Sequence, residues 1–213
     1  MERLNLAEEH LEIVDSGIQK KYSYKLLKRF LDIALSVTLI GLTSPIIILA
    51  LIIVYLQDFN NPVFIQKRVG IGNREFKMYK IRSMIKNAES EGAKWADIND
   101  CRITKFGKFA RKTRIDELPQ LFNIIKGDMS LIGPRPEREI FYRKFEKDIP
   151  NFRDRLKVKP GLTGWAQVNG GYDIGPSEKL ELDLYYIENL GFKIEGKIFI
   201  KTIKVILTGL GAR

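Results

Sequence analysis

The apolar and polar positions divide the chain into one uncharged segment near its beginning and a charged remainder. Residues 33–56 carry no charged side chain over 24 positions, whereas basic and acidic residues recur throughout the sequence that follows. As a straight helix this segment would reach roughly 36 Å, enough to cross a bilayer core of about 30 Å. The pattern therefore predicts a membrane helix close to the amino-terminal end.

Ser44 and Pro45 lie near the middle of this apolar segment. Proline removes the hydrogen bond to the carbonyl of Gly41 and disfavours the helical conformation at Ser44, while the hydroxyls of Thr43 and Ser44 can serve the freed backbone groups. Basic residues flank the segment on both sides, so the positive-inside rule gives no orientation. Two interpretations stay open: a kinked transmembrane helix, and a re-entrant helix–break–helix over residues 23–58.

Short strands and helices are expected in the rest of the chain. Residues 62–69 and 75–82 are strand-like and flank a glycine-containing turn, which predicts a β-hairpin. Apolar spacing predicts helices over residues 115–126, 137–157 and 177–190, and residues 159–171 have the composition of a glycine-rich loop. The expected fold class is α+β and mostly helical.

Residues 197–210 form a basic amphipathic pattern, for which binding to a membrane surface and ordinary core packing are both open. Three parts of the chain are expected. Residues 1–22 are an acidic cytoplasmic tail, residues 23–58 are the membrane segment, and residues 59–213 are a domain on the cytoplasmic side.

Composition narrows the chemistry that this domain can perform. The 213 residues include 36 Lys and Arg, 26 Asp and Glu, one His and one Cys, with a formal net charge of +10. A single cysteine excludes an internal disulfide and a cysteine metal cage, and a single histidine makes a zinc site or a Ser-His-Asp triad improbable. The positive charge indicates polyanionic partners, namely phosphorylated substrates, anionic lipid or nucleic acid.

Asp116 and Glu117 are the sharpest candidates for catalysis, because two adjacent carboxylates follow a stretch, residues 101–114, with six basic residues and no acidic one. They are also what the start of a helix looks like, so a purely structural role is open. Nearby cations should lower a carboxylate pKa and keep it an anion, able to act as a nucleophile or a Mg²⁺ ligand. The candidate phosphate-binding cations are Lys80, Arg82, Arg111 and Arg135.

Five motifs in order carry a resemblance to a known family. They are Ser44-Pro45, FKMYKIRSM at 76–84, RKTRIDELPQ at 111–120, GDMSLIGPRP at 127–136 and KPGLTGWAQVN at 159–169. With these motifs, the chain resembles the bacterial sugar transferases, the monotopic phosphoglycosyl transferases, and among them the short polyprenyl-phosphate hexose-1-phosphate transferases. The resemblance runs from about Lys25 to the end of the sequence.

The resemblance implies transfer of a sugar 1-phosphate from a UDP-sugar to a polyprenyl phosphate, usually undecaprenyl phosphate, with release of UMP. This is the first membrane step of surface glycan biosynthesis. By similarity Asp116 is the nucleophile and forms a phosphosugar–aspartyl intermediate, and Glu117 is its partner as Mg²⁺ ligand or acid/base. Asp116 and Glu117 are the implied metal ligands. Arg111 and Arg135 match phosphate-contacting positions, and Lys80 and Arg82 lie in the basic strand of the family.

The resemblance also favours the re-entrant interpretation, with interfacial amphipathic helices, and places the protein on the cytoplasmic face of the bacterial inner membrane. Residues 170–175 are expected to form a loop that selects the sugar, whose identity stays open, as does a homo-oligomeric state. The competing hypothesis is a membrane-anchored basic module that binds anionic lipid or nucleic acid without catalysis. Cations gathered around one Asp-Glu pair already disfavour nucleic acid.

Overall fold

The computed structural model describes the backbone of residues 2–90, 92, 100–170 and 174–208, and the side chains of these ranges from residue 23 onwards. The helices within these ranges are α1 Glu2–Asp58, α2 Lys105–Lys112, α3 Gln120–Lys126, α4 Glu139–Phe145, α5 Trp165–Asn169, α6 Pro176–Glu188 and α7 Phe192–Thr208. The strands are β1 Val63–Val69, β2 Glu75–Ile81, β3 Ser130–Ile132 and β4 Gly161–Thr163. The chain is mostly helical with little sheet, as the sequence predicted.

Helix α1 contains the apolar segment, and Ser23–Asp58 is long and apolar enough to cross a membrane by length and composition. The helix continues through Pro45, so the break predicted at Ser44 and Pro45 is absent from its backbone. The expected local compensation is present, because the Ser44 hydroxyl donates to the carbonyl of Gly41 at 2.9 Å. That bond supplies the donor that proline lacks.

One face of α1 is buried against the rest of the protein along the apolar segment. Its buried positions recur at helical spacing and are Asp32, Ser36, Ile47, Ala50 and Val54. The opposite face exposes large apolar side chains, among them Leu35, Leu42, Ile46, Leu49, Ile52 and Leu56. An exposed apolar surface of this extent on a single helix marks a membrane or protein interaction surface.

Arginine side chains attach both ends of the apolar segment to the globular part of the chain. Near the first end, Arg29 donates to the carbonyls of Ile124 and Ile125 at 2.6 and 2.7 Å, and so caps the last turn of α3. At the other end, Arg82 forms an ion pair with Asp58 at 2.5 Å. Both ends of the segment therefore contact the same compact body.

The predicted β-hairpin is confirmed. Strands β1 and β2 pair antiparallel, with Phe64 opposite Lys80. The turn between them contains two left-handed residues, Gly72 and Asn73, with φ of 62° and 65°. The hairpin packs on α3 through buried Asn123, whose side chain accepts from the amide of Tyr79 at 3.0 Å and donates to the carbonyl of Lys77 at 2.7 Å.

The helix predicted over residues 115–126 is wrong at its start. Residues Ile115–Glu117 form a separate 3₁₀ turn, and α3 begins only at Gln120. The helix predicted over residues 137–157 is likewise divided into α4 and a 3₁₀ turn at Phe152–Lys157, because Pro150 and the left-handed Asn151 interrupt it.

Two further differences concern short elements. The glycine-rich loop predicted at residues 159–171 contains strand β4 and helix α5. Strand β4 pairs parallel with β3, and a Cβ added at Gly161 would lie 2.1 Å from the backbone nitrogen of Gly133. Glycine is needed here because two chain segments approach each other closely. The glycine-rich composition of residues 159–171 suggested a turn instead.

The helices predicted for the last part of the chain are confirmed as α6 and α7. Core packing of α7 is confirmed for one face, where Ile194 and Ile198 are buried. Its other face still exposes large apolar side chains, namely Phe199, Ile200, Ile203, Ile206 and Leu207. The helix is therefore both a core element and a carrier of exposed apolar surface.

Gly107→Ala should destabilise the protein, because the new Cβ would lie 1.9 Å from the carbonyl oxygen of Ser83 and must push α2 away from the end of β2. We expect a loss of about 2 kcal/mol or more in unfolding free energy, comparable with overpacking of a core. The matched control is Gly196→Ala in α7, where the Cβ meets no atom within 4 Å and should stabilise the helix by up to about 1 kcal/mol. Thermal unfolding in detergent measures both, and equal melting temperatures for the two variants would contradict the prediction.

Candidate active site

Asp116 and Glu117 lie in the 3₁₀ turn Ile115–Glu117, which directly precedes α3. Arg114 before the turn has a left-handed backbone with φ of 61°, and Pro119 is the residue that caps α3. The helix-start interpretation is therefore confirmed for position, because both carboxylates lie in the first turn of the 3₁₀ helix, and is wrong for an N-cap role of Asp116. Both side chains are buried, since Asp116 and Glu117 are only 6% and 8% exposed.

Glu117 is surrounded by cations. Lys80 of β2 contacts its Oε1 at 3.3 Å, Arg114 contacts its Oε2 at 3.8 Å, and Arg135 forms a shorter ion pair with the same carboxylate. Burial favours the neutral form of Glu117, but Arg135 and Lys80 outweigh it and hold the pKa well below its usual range. Glu117 is therefore ionised throughout the physiological pH range.

Asp116 is in a different electrostatic situation from its neighbour. Within the described part of the chain its carboxylate accepts no hydrogen bond and makes no ion pair. Burial and the adjacent charge of Glu117 raise its pKa to about 6, against the opposing effect of Lys80, Arg111 and Arg135. The expectation that nearby cations lower the pKa is confirmed for Glu117 and wrong for Asp116. Asp116 thus has an ionisable carboxylate that is uncommitted, in the sense that no hydrogen bond or ion pair within the described residues holds it.

A cavity of about 360 Å³ contains all six candidate residues, with Lys80, Arg82, Arg111 and Arg135 lining it beside the two carboxylates. Lys80 and Arg135 meet at Glu117, as described above. Arg111 lies against the end of β2, where its Nε donates to the hydroxyl of Ser83 at 2.9 Å. The guanidinium of Arg82 instead pairs with Asp58 of α1, so this candidate holds the membrane helix.

The cavity also contains charged residues that the sequence did not single out. They are Arg68, Lys86, Glu89, Arg114, Glu137, Arg138 and Lys179. Arg68 could have been found from the pairing of the hairpin. Phe64 is opposite Lys80 and alternate residues of a strand share a face, so Arg68 lies on the same face of the hairpin as Lys80. The signal for Arg114 is its place in the basic run directly before Asp116.

Comparison with known proteins identifies the chain. The model of a family described as bacterial sugar transferase matches residues 23–209. The chain belongs to the bacterial sugar transferase family. The resemblance drawn from the five sequence motifs is thereby confirmed.

Curated members of the family are similar over most of this chain. A UDP-N-acetylgalactosamine-undecaprenyl-phosphate N-acetylgalactosaminephosphotransferase from Aeromonas hydrophila is 47% identical over 193 residues, which are 89% of this chain and 46% of that protein. A putative undecaprenyl-phosphate N-acetylgalactosaminyl 1-phosphate transferase from Bacillus subtilis is 47% identical over 138 residues, 65% of this chain and 77% of that one. A UDP-glucose:undecaprenyl-phosphate glucose-1-phosphate transferase from Escherichia coli is 37% identical over 184 residues, which are 84% of this chain and 40% of that protein. The chain thus spans about half the length of several relatives that it matches.

The carboxylates of this sugar transferase can be compared with the requirements of Mg²⁺. No group of three or more His, Cys, Asp or Glu side chains suited to a metal occurs in the described ranges. Glu117 contacts three cations, whereas the Asp116 carboxylate has no ion-pair partner among the described residues. Mg²⁺ is usually bound by one or two carboxylates together with substrate phosphates, so the pair fits an ion held jointly with a diphosphate.

Asp116→Asn should stabilise the folded protein at pH 7.5. A carboxyl whose pKa is raised from 3.8 to about 6 on folding costs up to about 3 kcal/mol when it must ionise in the native state. The gain should be full above pH 6, should shrink as the pH falls through that value, and should vanish below pH 4, where wild-type Asp116 is protonated in both states. Thermal unfolding of the two proteins between pH 4 and 8 measures this, and a variant that is less stable at pH 7.5 would contradict it.

Proposed function

We propose that this sugar transferase moves a sugar 1-phosphate from a UDP-sugar to undecaprenyl phosphate and releases UMP. The supporting observation is the buried, uncommitted Asp116 carboxylate beside several phosphate-binding cations in one cavity. The two relatives at 47% identity are named for N-acetylgalactosamine, so UDP-N-acetylgalactosamine is the proposed donor. The product would begin a surface glycan.

In the first step, a carboxylate oxygen of Asp116 attacks the phosphorus that bears the sugar. A phosphosugar–aspartyl bond forms, the bond from that phosphorus to the bridging oxygen breaks, and UMP leaves with the electron pair. Arg111 and Arg135, which line the cavity, neutralise the phosphoryl oxygens as negative charge develops on them. The second pKa of a phosphate monoester is about 6, so UMP departs as an anion without a proton from the protein.

In the second step, a phosphate oxygen of undecaprenyl phosphate attacks the same phosphorus and displaces the Asp116 carboxylate. The product is the polyprenyl diphosphate sugar, and the carboxylate returns to its starting form. Covalent catalysis lets one site exchange a water-soluble phosphate for a lipid phosphate without binding both substrates together.

Glu117 has a separate role in this proposal. A carboxylate that is ionised throughout the physiological pH range is a poor general acid, and its cation partners make it a weak base. We therefore assign Glu117 to holding Lys80, Arg114 and Arg135 around the nucleophile. Mg²⁺, bound by Asp116 and Glu117 together with diphosphate oxygens, would supply further neutralisation of the donor.

The membrane arrangement is also proposed. The exposed apolar face of α1 would contact lipid, and the apolar segment would enter one leaflet and return. Its change of direction would be a proline kink at Pro45 within the continuous helix. The observation that supports this path is the attachment of both ends of the segment, at Arg29 and Asp58, to one globular body. A helix that spans the bilayer would carry one of these ends away from that body. The catalytic cavity would then lie on the cytoplasmic face of the inner membrane.

Asp116→Asn should abolish UMP release, by at least about 10³-fold, because an amide cannot form the acyl phosphate. The assay holds the protein in nanodiscs with Mg²⁺, undecaprenyl phosphate and a panel of UDP-sugars, and a chelator in place of Mg²⁺ should also stop the reaction. The matched control is Asp183→Asn, which changes a buried aspartate paired with Arg155 outside the cavity lining. Full activity of the Asp116 variant would refute its assignment as the nucleophile.

Single cysteines at Lys25 and Lys67, with Cys101 replaced by serine, should both be protected from an impermeant maleimide in intact cells. Both positions are exposed and lie on opposite flanks of the apolar segment. Permeabilised cells, in which both cysteines should react, provide the control. Labelling of one flank alone in intact cells would establish a spanning helix in place of the re-entrant path.

A further inference from the structure

A third buried carboxylate, Glu137, lines the same cavity as Asp116 and Glu117. It is 7% exposed and has no part in the phosphoryl-transfer steps described above. Its Oε2 contacts Arg68 at 3.2 Å, and its Oε1 forms a short ion pair with Lys179. Glu137 directly follows the corner that carries Arg135, so it adjoins the phosphate-binding residues along the chain.

The surroundings of Glu137 keep it ionised and fixed. Burial favours its neutral form, but Lys179 and Arg68 outweigh it and lower its pKa to about 2. Arg68 is itself held by the carbonyl of Pro136 at 2.9 Å and by the side chain of Gln66 at 2.5 Å. The result is a rigid hydrogen-bond acceptor in the wall of the cavity.

The chemistry of this end of the cavity differs from that around Asp116. Glu137 balances one of the two charges of Arg68 and Lys179. An ionised carboxylate only accepts hydrogen bonds, so at this point of the wall it suits a hydroxyl donor rather than a phosphate oxygen. A carboxylate has about four acceptor positions, and the two cations occupy one on each oxygen. About two acceptor positions are left, one on each oxygen, which is the number that two hydroxyl groups on adjacent carbons would use. Pro176, one turn of α6 before Lys179, adds an apolar contact surface to the same wall.

We propose that Glu137, held by Arg68 and Lys179, binds a vicinal diol of the nucleotide-sugar donor. This inference rests on the proposed function for its choice of ligand. A UDP-N-acetylgalactosamine molecule has two such diols, one on the ribose and one at positions 3 and 4 of the sugar. Both lie within a few bonds of the diphosphate, and either would donate two hydrogen bonds to the carboxylate.

The test measures binding in the Asp116→Asn background, where no turnover consumes the donor. Isothermal titration compares UDP-N-acetylgalactosamine with an analogue that lacks the ribose 2′-hydroxyl and with one that lacks the sugar 4-hydroxyl. Loss of a hydrogen bond to a charged acceptor should weaken binding about 10- to 100-fold. The analogue that shows this penalty identifies which diol is bound.

Glu137→Gln should reduce the penalty to a few-fold, because the amide keeps only one acceptor oxygen and that oxygen is uncharged. A second variant combines Glu137→Gln with Lys179→Met. It removes both charges of this buried pair, so no unpaired charge of the pair is left to destabilise the fold. The matched control is Glu195→Gln, a buried glutamate that contacts Lys28 at 2.7 Å outside the cavity lining, and it should preserve the penalty.

An equal penalty for the analogue in the parent and in both Glu137 variants would overturn the inference and leave Glu137 as a clamp between β1 and α6. So would the absence of a penalty for either analogue in the parent. UMP release by the wild type is measured separately. Its failure with intact binding penalties would refute the proposed reaction and leave the diol site standing.

Discussion

Burial of two adjacent carboxylates is the constraint on which the rest of the site depends. Burial and the charge of Glu117 raise the pKa of Asp116. Two like charges at a separation of about 4 Å would repel by about 4 kcal/mol at an effective dielectric constant of 20, so one of the two carboxylates has to be compensated. The compensating cations come from three separate places: Lys80 on β2, Arg114 before the turn, and Arg135 after β3. The hairpin, the turn and the β3 corner therefore have to meet at Glu117, and Asp116 keeps its carboxylate free because its neighbour takes the cations.

The sequence predicted those elements whose periodicity is set by burial. Alternation along residues 62–82 identified the hairpin, and apolar spacing identified α6 and α7, because each buries one face. The division of residues 115–126 was not predictable in this way, since it depends on the left-handed backbone of Arg114 and on Pro119. Strands β3 and β4 were missed for a related reason. They are three residues long and pair where Gly133 and Gly161 have no side chains, so they carry no apolar pattern.

The candidate site was predictable in its residue types and less so in its electrostatics. Lys80, Arg111, Arg135 and the two carboxylates line one cavity, yet Arg82 turns to α1 and the pKa of Asp116 moves upward. Both differences depend on contacts between residues distant in the sequence. Arg82 pairs with Asp58 of α1, and burial and the charge of Glu117 raise the pKa of Asp116 because the cations contact Glu117 instead. Glu137 was missed because its significance depends on Arg68 and Lys179, which are 69 and 42 residues distant in the sequence.

The short helix α3 connects the contact with α1 to the turn that carries Asp116. Its last carbonyls are capped by Arg29 of α1, and the turn with Asp116 lies just before its first residue. Seven helical residues separate the two points by about 10 Å. The helix therefore fixes the distance between α1 and the turn that carries Asp116, so a displacement of α1 at Arg29 would move that turn by the same amount. Inserting or deleting one residue in α3 would change this distance by about 1.5 Å and rotate the turn by about 100°.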